Sequence, residues 1–291
     1  MDASPLLPQI LSGLATGGIY ASLALALVMI HRATHLVNFA QGEMAMFATY
    51  LAWGMMQSGM PYWTAFALTV LLSFTGGVLI ERVVVRPVEH APVLAAVIVF
   101  IALLLVFNSL AGWIFGTTIQ PFPSPFRGSP PWGQHWLSAH EAGSAGVTLV
   151  LLLALFVFFR FTRLGLAMRA VAQNPESSRL VGVRVGRMLA LGWGLAAAIG
   201  AVAGMMVAPM VFLEPNMMGG VLLYAFAGAL LGGIDSPGGA VLGGLLVGVL
   251  ENLAGAWVGT ELKLSVALSI IVGVLVVRPT GLFGRARVER V

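Results

Sequence analysis

The 291 residues are 59% hydrophobic and only 9% charged, against roughly a quarter charged in an ordinary soluble domain. Apolar blocks of membrane-spanning length recur along the whole chain, which excludes a soluble protein and predicts one integral membrane domain over residues 1–291. With no cysteine, disulfides and thiolate metal sites are excluded as well.

Asp2 and no basic residue precede the first hydrophobic run, unlike a cleaved signal peptide, so the first helix is expected to stay in the protein. Charge-free stretches then predict an all-α protein with helices at about 8–30, 41–57, 62–84, 92–115, 144–162, 188–212, 217–234, 238–257 and 260–277. A crossing needs about 20 mainly apolar residues. Gly59-Met60-Pro61 divides the second helix from the third, since these residues suit a turn. The segment opening Gln41-Gly42-Glu43 is short and the one holding Glu251 is glycine-rich; either could re-enter rather than span, so the count is eight or nine.

Orientation follows from the basic residues. With the N-terminus outside and nine segments alternating, Arg32, Arg82, Arg86, Arg160, Arg163, Arg169, Arg179, Arg184, Arg187, Arg278, Arg285, Arg287 and Arg290 fall inside, and only Arg127 and Lys263 fall outside. Thirteen against two is a strong positive-inside bias and predicts a cytoplasmic C-terminus. The basic balance is thus explained by anchoring at anionic membrane lipid, not by nucleic acid.

The longest outer loop, about 113–143, carries Pro121, Pro123, Pro125, Pro130 and Pro131 with Trp113, Trp132 and Trp136. It is either an aromatic belt on the outer leaflet or a stiff platform for a soluble partner. Five glycine pairs at helix-packing spacing (13/17, 200/204, 228/232, 239/243 and 244/248) predict close helix approaches, within this chain or against a second subunit.

Catalytic signatures are missing. There is no GxxxxGK[ST], no GxSxG and no HExxH, and the single lysine, Lys263, follows no glycine-rich loop. His31, His35, His90, His135 and His140 form no ligand pair. No enzyme activity, ATPase site, cofactor or metal is expected.

The cytoplasmic loop at about 160–187 reads as two short helices. Asn174 caps the second, Pro175 suits its first position, Glu176 favours its dipole, and Gly182 suits its stop. A stub of about seven residues is not stable alone in water, so an external surface must hold it.

Glu176-Ser177-Ser178-Arg-Leu-Val-Gly182 resembles the loop of ATP-driven import permeases that reads Glu-Ala-Ala, three residues, then Gly, with serines here in place of both alanines. Around it, in order, stand Gly13-Leu-Ala-Thr-Gly-Gly-Ile-Tyr, Asn38-Phe-Ala-Gln-Gly-Glu43, Arg169-Ala-Val-Ala-Gln-Asn174-Pro175-Glu176, Gly232-Gly-Ile-Asp-Ser-Pro-Gly-Gly and Arg278-Pro-Thr-Gly-Leu-Phe-Gly284. Over essentially the whole chain these resemble the inner-membrane permeases of branched-chain amino acid ABC transporters. The resemblance implies a second homologous permease subunit, two cytoplasmic ATP-binding subunits and a periplasmic solute-binding protein. It also implies that Arg169, Asn174, Pro175, Glu176, Ser177, Ser178 and Gly182 form the joint with an ATPase. Similar permeases also carry urea, short amides and aromatic acids.

Two carboxylates sit in membrane segments. Glu251, beside Asn252, is expected to face either a translocation route or another helix through a structural hydrogen bond, because an ionised group at depth costs at least a few kcal/mol unless it meets water or a partner. Glu43 either complements the N-terminal dipole of its helix or contacts solute, and Asn38 and Gln41 share that ambiguity. The alternative to a permease subunit is a stand-alone secondary transporter coupled to protons through Glu251 or Glu43.

Overall fold

The computed structural model describes residues 6–34, 36–89, 91–128 and 136–284. Asp2, His35, His90, His135, Pro130, Pro131, Trp132, Arg285, Arg287 and Arg290 lie outside the described residues.

Among the described residues eleven α-helices stand in chain order: α1 (Leu6–Thr34), α2 (Gln41–Gln57), α3 (Tyr62–Ile80), α4 (Val93–Phe115), α5 (Ala139–Phe161), α6 (Arg163–Gln173), α7 (Pro175–Leu180), α8 (Val185–Val211), α9 (Met218–Gly232), α10 (Pro237–Trp257) and α11 (Lys263–Val277). Apart from one antiparallel bridge between Gln120 and Leu213, the described residues contain no β-structure. Seven helices among the described residues are long and apolar enough to cross a membrane: α1, α3 with its extension to Val88, α4, α5, α8, α10, and α11 from Thr260. At 1.5 Å per residue, α2 with 17 residues and α9 with 15 reach only about 25 and 22 Å.

Two helices differ from expectation at their ends. The fifth segment begins at Ala139, not near 144, because Ser138 and Glu141 form a capping box. The Glu141 amide donates to Ser138 Oγ (3.2 Å), and the Ser138 amide donates back to Glu141 Oε2 (2.8 Å). The third segment does not run to 84 as regular helix; it widens into a π turn at Glu81–Val85 and tightens into a 3-10 turn at Arg86–Val88.

The chain forms two compact units. The first comprises Met1–Val28, Phe126–Val147 and Gly220–Val291. In it glycines bring three helices to backbone contact. A Cβ on Gly17 of α1 would lie 3.0 Å from Leu245 Cα of α10, and one on Gly228 of α9 would lie 2.6 Å from Gly244 Cα. Ala24, Val28, Ala229 and Ala240 fill the small core that such proximity leaves. The last described residues close this unit. The amides of Leu282 and Phe283 donate to the carbonyls of Leu231 (2.8 Å) and Gly232 (3.0 Å), which lie in the last turn of α9 and have no helical partner. The approach requires glycines at 233 and 281, whose φ of 109° and 75° are left-handed.

Because backbone meets backbone at Gly228, even one methyl must displace a helix. Gly228→Ala is expected to cost about 1–3 kcal/mol and lower the thermal midpoint of the purified protein. Gly238→Ala, where a Cβ meets nothing within 4 Å, should leave it unchanged or raise it.

The second unit comprises Met29–Pro125 and Thr148–Gly219. Its axis is α8, buried along most of its length, with α2 and α3 laid against it. Gly77 of α3 meets the backbone of Trp193 and Gly194, while Gly200 and Gly204 admit Gln41, Ala45 and Thr49 of α2. All five predicted glycine pairs are therefore used in packing within this chain. Arg86 forks onto Glu81, with Nη2 at 2.8 Å from Oε2, and the same Nη2 donates to the Gly186 carbonyl (2.8 Å), tying the end of α3 to the start of α8. Beside them Val171, Val185 and Leu189 form a cluster covered by Ala33, Val183 and Met188.

Candidate functional site

Residues 36–40 are irregular, and α2 begins beside Ala196, eleven residues into α8, or about 16 Å along its axis. Irregular backbone at such depth survives only when protein or water satisfies it, and two wholly buried amides do so here. Asn38 Oδ1 accepts the Ala40 amide (3.1 Å), Asn38 Nδ2 donates to Gln41 Oε1 (3.3 Å), and Gln41 Nε2 donates to the Ala196 carbonyl (2.8 Å). Glu43 lies in the first turn of α2, 8% exposed. Asn108, the lone amide of α4, donates to Glu43 Oε2 (3.3 Å), to the Pro215 carbonyl (3.0 Å) and to Asn216 Oδ1 (3.1 Å). Beside this group the rings of Phe47 and Phe107 lie 5.5 Å apart, and Tyr50 stacks on Phe115 at 4.9 Å. Sequence reasoning singled out Asn38, Gln41 and Glu43 but missed Asn108 and Asn216. The one available signal was Asn108 itself, an amide in a helix otherwise almost wholly apolar.

Glu251 and Asn252 belong to the first unit. Fourteen residues into α10, Glu251 accepts Tyr20 Oη at 3.1 Å and pairs with Lys263 Nζ at 2.9 Å. Tyr20 in turn stacks on Tyr224, with ring centroids 5.1 Å apart. Asn252 Nδ2 donates to the Gln9 carbonyl (2.7 Å). The partnership with Lys263 was overlooked in the sequence. A short turn makes α10 and α11 neighbours, so residues twelve apart face each other and the lysine stem reaches down to the carboxylate.

The loop after α5 folds as α6 and α7. Thr162 Oγ1 caps α6 by accepting the Gly165 amide (3.0 Å), and Asn174 Oδ1 caps α7 by accepting the Ser177 amide (2.9 Å). Pro175 opens α7, Ser178 is buried, and Glu176, Ser177 and Arg179 are exposed. Arg169 is half-buried on α6. Gly182 has φ of +84° and closes the turn, its amide donating to Arg179 O at 3.0 Å. Leu180 and Val181 are 89% and 78% exposed at the tip.

The loop after α4 is pinned by paired hydrogen bonds between Gln120 and Leu213 (2.9 and 3.0 Å) and by buried Phe122, while Trp113 stands exposed. Among the described residues no cluster of His, Asp or Glu could hold a metal ion.

The family described as branched-chain amino acid transport system, permease component, matches residues 9–277. The high-affinity branched-chain amino acid transport system permease protein LivH of Escherichia coli (strain K12) is 31% identical over 306 residues, covering 98% of this chain and 97% of its own length. LivH of Salmonella typhimurium is 32% identical with the same coverage. BraD of Pseudomonas aeruginosa is 29% identical over 98% of each chain. A match that runs from the first helix to the last, in a multi-pass inner-membrane protein whose polar groups lie inside its helices, has one conclusion: the chain belongs to the permease-component family of branched-chain amino acid transport systems.

Proposed function

We propose that this chain forms part of the translocation pathway of an ATP-driven importer for branched-chain amino acids. It works by alternating access beside a second, homologous permease subunit. Two cytoplasmic ATP-binding subunits drive it, and a periplasmic solute-binding protein delivers the solute. The observation that carries this is α7: six residues, capped at both ends, with Leu180 and Val181 held out in water. Nothing in water rewards that exposure, whereas a cleft on an ATP-binding subunit would bury both side chains.

The chain crosses nine times, with the N-terminus outside. If α2 and α9 did not cross, the fifteen basic residues would divide six against nine rather than thirteen against two. Packing supports this: Ala33 at the end of α1 touches the Val171–Val185–Leu189 cluster, and Arg86 after α3 bonds Gly186, so these ends share one side of the second unit. Residues 36–40 need only about 3.3 Å each to climb from that side to the start of α2. Single cysteines in this cysteine-free chain test the topology. Ser177→Cys should be labelled only from inside and Thr118→Cys only from outside; the reverse pattern overturns it.

The pathway in this chain is assigned to the Asn38, Gln41 and Glu43 region. Glu251 and Asn252, also candidates for it, have partners that support a fixed structural role. The proton-coupled alternative needs a carboxyl free to exchange protons; the Lys263 pairing of Glu251 disfavours that residue, and the Glu43 version is decided by whether the chain transports alone. In liposomes, the chain should be inert alone under a proton gradient and should transport only with both ATP-binding subunits, ATP and the solute-binding protein. Transport by the chain alone would sink the proposal.

A further inference from the structure

The Asn108 amide faces more acceptors than it has protons. The Asn108 amide has two protons, yet it faces three acceptors: Glu43 Oε2, the Pro215 carbonyl and Asn216 Oδ1. Among the described residues the ion pairs are Arg86–Glu81 and Lys263–Glu251, so Glu43 has no cationic partner there. Two turns along the same face of α2, the wholly buried Tyr50 hydroxyl also lacks a hydrogen-bond partner among the described residues. Asn216 is exposed and Asn108 half-buried, while Glu43 lies behind them. The group is therefore open on one side. A negative charge at membrane depth is costly without compensation, and what would compensate it here is a cation carrying several N–H donors.

We infer that Glu43, Asn108, the Pro215 carbonyl and Asn216 form a transient subsite for the primary ammonium group of the passing solute, with the Phe47–Phe107 wall beside it receiving an aliphatic side chain. An ammonium supplies three donors to the surplus acceptors and neutralises the carboxylate, and the aromatic faces tolerate both cation and hydrocarbon. The subsite rests on the pathway assigned above. Within it, the subsite favours solutes bearing an α-ammonium over urea, simple amides or carboxylates lacking an amine, because only the ammonium meets both the charge and the donor deficit.

The test uses the complete transporter, with Asn216→Cys as a reporter in the otherwise cysteine-free chain. Two methanethiosulfonates of similar size, ethylammonium and ethylsulfonate, are compared, each rate normalised to its rate with a free thiol. The cationic reagent should be favoured by about tenfold or more, as expected for a focused negative charge, and Glu43→Gln should abolish the preference. Glu43→Gln should also slow uptake of leucine by a similar factor while leaving capture by the solute-binding protein unchanged. If Asn216→Cys prevents assembly, Asn108→Cys serves as the reporter. A cysteine unreactive to both reagents, or a preference that Glu43→Gln does not alter, overturns the subsite even where the wild-type complex transports. Failure of the wild-type complex to transport would instead strike the function proposed above.

Discussion

Replacing Glu251 by glutamine while Lys263 remains is expected to destabilise the protein by about 3 kcal/mol, the lower end of what removing one partner of a buried ion pair costs. Glu251 is 6% exposed, and its two oxygens are used by Lys263 Nζ (2.9 Å) and Tyr20 Oη (3.1 Å). The three side chains join α1, α10 and α11 of the first unit. Without the carboxylate, the lysine is left with no counter-charge among apolar helices, and the single amide oxygen that glutamine keeps cannot serve both Lys263 and Tyr20 as the two carboxylate oxygens do. The lower end applies because the Lys263 side chain is 29% exposed and recovers part of its solvation. Lys263→Met alone should be comparably damaging, since it strands the carboxylate. The double variant Glu251→Gln/Lys263→Met should recover most of the loss, because no unpaired charge remains. Thermal unfolding midpoints of the four purified proteins give the coupling energy. Additive effects would show that the pair contributes nothing as a pair. Full stability with lost uptake in Glu251→Gln would return Glu251 to the pathway.

The largest functional effect is expected at α7. Glu176→Arg places a positive charge at the helix's positive end, in a loop that already carries Arg169, Arg179 and Arg184, on the surface where the proposed partner docks. A like-charge contact in an interface costs several kcal/mol, so solute-stimulated ATP hydrolysis should fall by about 100-fold while insertion is normal. Gly182→Leu acts differently. A Cβ at Gly182 meets nothing within 4 Å, but φ is +84°, so the cost is conformational, about 1–2 kcal/mol for a left-handed L-residue. The turn should reopen and misdirect Leu180 and Val181. Gly182→Asn, which tolerates that region, should retain most activity. Wild-type hydrolysis and transport in both Glu176→Arg and Gly182→Leu would leave the loop as no more than a basic anchor.

These two sites differ in how far they could be read in advance. Capping, proline placement and a left-handed stop act within a few residues, so Asn174, Pro175 and Gly182 announce α7 wherever they occur together. The same locality governs the membrane helices. Lipid satisfies no backbone group, so each crossing must bond internally, and its position follows from the run of apolar residues alone. Hence α4, expected at about 92–115, falls at Val93–Phe115, and Ser138-Ala-His-Glu141 is a readable start for α5.

Composition and local pattern thus determined that the chain is a multi-pass helical membrane protein, and the order of its motifs pointed to its family. Tertiary structure alone decided which polar groups face one another. Glu43 meets Asn108 and Asn216 across 65 and 173 positions of sequence, directly in one case and through the shared amide in the other. Likewise Tyr20 reaches Glu251 across 231 positions, and residues 282–283 complete the end of α9. The reason is physical. Among helices in lipid, close packing at small residues sets the contacts, and the few polar side chains then bond whichever neighbour that packing brings within about 3 Å.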